Sequence, residues 1–121
     1  MSVSGPDFVS LQVRDVPGSA AFYEKYLGFT RQAGPPSAVV FDTVPASFAV
    51  RPPLPGVELD AGTPLGKGIG IWLHAANTQE IHDALVADGV TITSVPTDGP
   101  FGRTFTFADP DGYQITLHER A

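Results

Sequence analysis

The sequence predicts an α+β fold of two βαβββ modules, with mixed β-sheets curving around a cavity and the helices outside. Three observations carry this reading. The order strand, helix, three strands can be read twice along the chain. Each helix stops at a glycine at nearly the same offset, Phe8 lying 20 residues before Gly28 and Gly70 lying 19 before Gly89. With 13 Gly and 12 Pro in 121 residues, the chain favours short strands and turns over a helical bundle.

The first module opens on Phe8-Val9-Ser10-Leu11-Gln12-Val13, where Val9, Leu11 and Val13 alternate onto one face of a strand. Pro17 suits a first helical turn, where its missing N–H is not needed. The helix expected over Ser19 to Leu27 puts Phe22, Tyr23, Tyr26 and Leu27 on an apolar stripe, and Gly28 ends it. Strands are expected at Phe29–Gln32, Ala38–Thr43 and Ser47–Val50.

The second module repeats the plan. Gly70 to His74 alternates, with Ile69, Ile71 and Leu73 on the buried side. Asn77-Thr78-Gln79-Glu80 reads as a capping box, with Ile81, Ala84 and Leu85 forming the helical stripe up to Gly89. Thr91–Ser94, Arg103–Phe107 and Gln114–Glu119 read as strands. Each module alone is too small to bury its faces, so residues 1–121 are expected to fold as one domain. Module one covers about 8–50 and module two about 69–119. The Pro- and Gly-rich stretch 51–68 between them serves either as a linker or as a flap over the pocket.

Composition narrows the function. The net charge of −6 repels phosphate backbones and argues against nucleic acid as partner. Zero cysteines exclude a disulfide framework and a thiolate site. Met1 to Phe8 shows neither a basic n-region nor an apolar h-region, and no apolar run approaches the ~20 residues that span a bilayer. The expectation is a cytoplasmic protein without a membrane partner.

Phe22-Tyr23 followed by Leu27-Gly28-Phe29 resembles the "FY…LGF" helix end of the vicinal oxygen chelate superfamily, the glyoxalase, bleomycin-resistance and dioxygenase group. Pro100-Phe101-Gly102-Arg103, then Phe107-Ala108-Asp109-Pro110-Asp111-Gly112-Tyr113, is similar to its C-terminal "DPDG" hairpin. The resemblance runs from about Phe8 to Glu119. It implies the fold derived above. The two aspartates have a structural explanation in their own right, because Asp-Pro-Asp-Gly is a tight-turn sequence.

In metal-dependent relatives, His, Gln or Glu residues on four equivalent strands hold a divalent ion. The resemblance places Phe8, Gly70 and Thr116 at three of these positions. The fourth falls within Thr43 to Val57, which contains no Asp, Glu, His or Cys. Such an ion needs carboxylate, imidazole or comparable donors. The usual metal site is therefore expected to be missing, and no cofactor is expected.

Strand parity gives the expected lining instead. Phe8, Ser10 and Gln12, then Gly70, Trp72 and His74, then Gln114, Thr116 and His118 should point inward. Phe41, Phe48 and Phe101 complete the candidate ligand-binding set. Trp72 serves either as pocket wall or as core filler. His74, His118 and Gln12 either hydrogen-bond a ligand, act as acid or base, or bind a displaced metal. His82 is expected to be a solvated surface residue.

The resulting expectation is a metal-independent binding protein of the bleomycin-resistance type. It would sequester an aromatic antibiotic or metabolite as a homodimer, the assembly that the resemblance implies. The alternative is a metal-independent lyase, isomerase or cyclase using His74 or His118. A third class is an interaction domain with a vestigial pocket.

Overall fold

The computed structural model describes residues 2–60 and 62–120. The chain divides between residues 61 and 62 into two compact units. Each holds one helix and one four-stranded mixed sheet. This is the α+β architecture of two βαβββ modules read from the sequence.

In the first unit, β1 (Phe8–Gln12) leads into α1 (Val16–Leu27), followed by β2 (Arg31–Gln32), β3 (Val39–Phe41) and β4 (Ser47–Arg51). The sheet order is β1-β4-β3-β2. β1 runs parallel to β4, and the other two pairings are antiparallel. The second unit follows the same plan. β5 (Ile71–His74), α2 (Thr78–Ala87), β6 (Ile92–Gly99), β7 (Gly102–Ala108) and β8 (Gln114–His118) form a sheet in the order β5-β8-β7-β6. Here β5 and β8 are the parallel pair.

α1 begins three residues before the expected Ser19, because Asp15 caps it. The Asp15 Oδ1 accepts from the Gly18 N–H at 3.2 Å, and the Asp15 carbonyl accepts from the Ser19 N–H at 2.9 Å. The helix ends as expected at Gly28, whose φ of 69° permits the closing turn. One side of α1 seals the sheet. Tyr23 stacks on Phe29 with ring centroids 6.0 Å apart and meets Phe48 edge-on at 5.0 Å. Phe41 joins at 5.4 Å from Phe29. Tyr23, Phe41 and Phe48 are all buried.

The place of Phe41 and Phe48 corrects the reading of them as pocket residues. Register pairs Phe48 with Val9 and with Phe41, so both rings share the face of Val9 that α1 covers, opposite to Phe8 and Ser10.

α2 departs from expectation at its start. Asn77 occupies the cap position, but its side chain makes no capping hydrogen bond. Its Nδ2 donates instead to Glu80 Oε2 at 3.4 Å, so the capping box does not form. Thr78 and Leu85 are buried and Ala84 is exposed. His82 takes the inner position in its place, its ring meeting Phe105 edge-on at 5.2 Å. It is not the solvated residue expected from its Glu80 and Asp83 neighbours. Ile69 lies outside β5 and is exposed, whereas Ile115, Leu117, Phe105 and Phe107 form the core beneath α2.

β6 runs to Gly99, well past the expected Ser94. Pro96 hid the extension, since proline argues against a central strand. β6 is an edge strand, and its pairing with β7 shifts register between Ser94 and Thr97. A missing N–H is tolerated at such an irregular edge.

Each part of the long connection is anchored within its own unit. The Leu54 N–H donates to Gln12 Oε1 at 2.9 Å, and the Arg14 guanidinium donates to the Asp60 carbonyl. On the other side the Leu65 N–H donates to the Asp111 carbonyl at 3.1 Å. A Cβ on Gly112 would stand 2.6 Å from the Pro64 Cα.

Because Phe41 is a core ring, Phe41→Ala should destabilise the protein by about 3–5 kcal/mol. Urea unfolding measures this. A loss near zero would place Phe41 outside the core.

Candidate functional site

The second unit carries a face built from the positions of β5, β8 and β7 that alternate away from α2. Register sets Trp72 opposite Thr116, and Thr116 opposite Thr106. One step along, His74 stands opposite His118, and His118 opposite Thr104. These two rows exist because Ile71, Leu73, Ile115 and Leu117 occupy the intervening positions and turn toward the helix.

Four rings gather on this face. Trp72 lies 5.6 Å from Phe101 and 5.7 Å from His118, and His118 lies 6.0 Å from His74. Phe101 comes from the turn between β6 and β7, held by the Arg120 N–H donating to its carbonyl at 2.9 Å. Trp72 is 51% exposed and Phe101 52%. Trp72 is therefore not core filler. Its indole leans over Gly70, where a Cβ would stand 3.4 Å from Nε1.

The polar groups are held in defined ways. His74 Nε2 lies 2.9 Å from the Glu119 carbonyl oxygen, and His118 Nδ1 contacts the Arg120 carbonyl. A carbonyl only accepts, so each of these ring nitrogens carries the hydrogen. Thr106 and Thr116 share a hydrogen bond at 2.7 Å. The Thr93 hydroxyl donates to Gln114 Oε1 at 3.2 Å. At the strand positions of this face, residues 72, 74, 104, 106, 108, 114, 116 and 118, no Asp, Glu, Lys or Arg occurs.

The expected site residues thus divide. Trp72, His74, Phe101, Gln114, Thr116 and His118 come together, with Gly70 at the edge. Phe8, Ser10 and Gln12 lie in the first unit on the side of β1 away from α1, Phe8 being 52% exposed. Gln12 is committed to the Leu54 amide. Thr104 and Thr106 were missed, although alternation with Phe105 and Phe107 places them on this face.

The carboxylates whose titration moves lie elsewhere. A hydrogen bond from Arg31 holds Glu24 below the usual carboxylate range, as hydrogen bonds from His82 and Gln79 do for Asp83. Both stand on helix surface, Asp83 exposed and Glu24 half-buried. Asp109 and Asp111 act in the turn. Asp109 Oδ1 accepts from the Asp111 and Tyr113 N–H groups, each at 2.9 Å.

The residues at the positions that the resemblance gives to a metal do not fit an ion. Phe8 and Gly70 have no donor, and the Thr116 hydroxyl is engaged with Thr106. Among the described residues no group of three or more His, Cys, Asp or Glu is arranged to hold a metal.

The chain belongs to the Glyoxalase/Bleomycin resistance protein/Dioxygenase superfamily, whose family model matches residues 5–117. No curated protein sequence matches it. Among solved structures it is similar to TnmS3, an antibiotic binding protein from Streptomyces sp. CB03234, at 23% identity and a TM-score of 0.74, covering 100% of this chain and 99% of that one. It is also similar to lactoylglutathione lyase from Agrobacterium tumefaciens, at 20% identity and a TM-score of 0.71, covering 98% and 96%. A glyoxalase/bleomycin resistance protein from Streptomyces sp. CB03234 shares 22% identity at a TM-score of 0.71, covering 95% and 100%. These likenesses establish the fold. No helix among the described residues is long and apolar enough to cross a membrane.

With no donor at Phe8 or Gly70 and the Thr116 hydroxyl engaged with Thr106, dialysis against Zn²⁺, Ni²⁺ or Fe²⁺ should leave far less than one ion per chain by elemental analysis. About one tightly held ion would contradict this and direct attention to His74 and His118.

Proposed function

We propose that this protein binds a small aromatic organic molecule on the Trp72 face and holds it unchanged, as a sequestering protein. The observation that carries the reading is the exposed grouping of Trp72, Phe101 and two imidazoles. Large aromatic rings left half in solvent are costly unless something covers them, and an aromatic ligand suits an indole and a phenyl ring. A few oriented polar groups among apolar walls is the usual make-up of a ligand site. The description of TnmS3 as an antibiotic binding protein supports the same reading.

A second reading is catalysis without a metal. Its support is the pair His74 and His118, each with one nitrogen engaged by a carbonyl, which is how a general base is oriented. The description of a relative of this fold as a lyase is compatible with it. Incubation with a bound compound followed by mass spectrometry separates the two. Unchanged ligand supports sequestration, and a product supports catalysis.

Homodimer formation belongs to the proposal. Each sheet ends in edge strands, β1 and β2 in one and β5 and β6 in the other, and a second copy would cover such edges. Sedimentation at micromolar concentration should show a dimer. A clean monomer would defeat this part.

Trp72 is the only tryptophan, so its emission reports on this face alone. A planar aromatic ligand should quench or shift it saturably. Trp72→Ala should weaken calorimetric binding by about 2 kcal/mol, as for an interface anchor. Because the ring is half exposed, the variant should lose much less stability than the ~3–5 kcal/mol of a buried aromatic. Unchanged affinity would remove Trp72 from the site.

A further inference from the structure

We infer that the Trp72 face selects an uncharged aromatic molecule bearing hydroxyl groups, with His74 Nδ1 and His118 Nε2 accepting hydrogen bonds from those hydroxyls. The inference rests on the aromatic-ligand reading above and adds the chemistry the ligand must carry.

The argument begins with the two backbone carbonyls. Glu119 and Arg120 follow β8 directly, and their carbonyl oxygens turn back to meet His74 Nε2 and His118 Nδ1. A carbonyl oxygen has no hydrogen to give, so the hydrogen in each contact belongs to the ring. A neutral imidazole has a single N–H. Once that N–H is spent on a carbonyl, the other nitrogen is left as a lone-pair acceptor. In their neutral forms the two residues therefore take opposite tautomers, Nε2–H in His74 and Nδ1–H in His118. Neither remaining nitrogen has a hydrogen-bond partner among the described residues.

Register brings the two acceptors together. His74 and His118 are direct partners across the parallel β5–β8 pair, with ring centroids 6.0 Å apart. Trp72 and Phe101 flank His118, with ring centroids 5.7 and 6.1 Å from it. A ring lying against the indole can thus direct substituents at the imidazoles. What those substituents must be follows from the acceptors. A hydroxyl donates to them, whereas an ether or a carbonyl offers only further lone pairs. His74 is exposed and His118 half-buried, so a ligand that covers them without offering a donor strips water from the acceptors and leaves them unpaired, which costs more than a satisfied bond gains.

The charge pattern completes the specification. The strand positions of the face contain neither cation nor anion, so a charged ligand would lose hydration without a counter-charge there. Arg103, next to Thr104 in β7, spends its guanidinium on Gln79 and Asp98, and Arg120 lies just beyond β8; an anionic probe tests whether Arg120 alters this.

The experiment compares 2,3-dihydroxynaphthalene, 2,3-dimethoxynaphthalene and 2-naphthoate by calorimetry on the full chain. The diol should bind at least tenfold more tightly than either of the others, and the double variant His74→Leu/His118→Leu should bring the diol down to the level of the diether. In the unliganded wild type, imidazole ¹⁵N spectra should show His74 in the Nε2–H form and His118 in the Nδ1–H form. This readout and the wild-type selectivity do not depend on the variant folding. Equal binding of diol and diether, tighter binding of the naphthoate, reversed tautomers, or a preference that survives the double variant would each overturn the inference while leaving an aromatic ligand in place. Failure of all three probes to bind saturably would overturn the aromatic-ligand reading and this inference with it.

Discussion

The parallel pairing of β5 with β8 is the constraint on which the candidate site depends. It sets Trp72 beside Thr116 and His74 beside His118. The pairing is held in place from the other side of the sheet, where Ile115, Leu117, Phe105 and Phe107 are buried. Because side chains alternate with a period of two, a slip by one residue would drive the indole and both imidazoles into that apolar layer. It would also put Ile115 and Leu117 in water, at about 1.5–3 kcal/mol for each buried side chain exposed. The core beneath α2 thus fixes which rings the other face presents, although none of its residues belongs to the site.

The two units use the same plan for different ends. In the first, Tyr23, Phe29, Phe41 and Phe48 interlock on the helix side, and Phe8 stands exposed on the other without an aromatic neighbour among the ring contacts of the described residues. The second buries Phe105 and Phe107 under its helix and still carries Trp72 and Phe101 half exposed on the other side. An aromatic residue packed in a core needs no further explanation, but two exposed ones beside oriented imidazoles do. This asymmetry is why the proposed site is placed on the second unit. The turn at Asp109 to Gly112 contributes indirectly. Its hydrogen bonds to the Asp111 and Tyr113 amides set where β8 starts, and so which residues reach the register of β5.

Much of the face was legible in the sequence. Alternation in Gly70 to His74 and in Gln114 to Glu119 already separated Trp72, His74, Thr116 and His118 from Ile71, Leu73, Ile115 and Leu117. The same parity, applied to β7, would have added Thr104 and Thr106. Phe41 and Phe48 were misassigned because Ala38–Thr43 and Ser47–Val50 are apolar at nearly every position, so alternation does not say which face α1 covers. The β6 extension was hidden by Pro96. The capping box at Asn77 was read from residue types, but whether a side chain turns to its own helix or to a neighbour is settled by local geometry.

The sequence by itself determined the repeated βαβββ plan, the helix end at Gly28, a second helix that stops at Ala87 shortly before Gly89, and the lack of donors at Phe8 and Gly70. Each of these follows from local chemistry: alternation, positive backbone angles and side-chain composition. Only the tertiary structure decided that Trp72 stands in solvent, that Phe101 reaches it from another turn, and that His74 and His118 face one another with opposite nitrogens engaged. These are relations between residues far apart in the chain. They depend on strand register and on where two backbone carbonyls fall after β8, and side-chain pattern along a single segment carries no information about either.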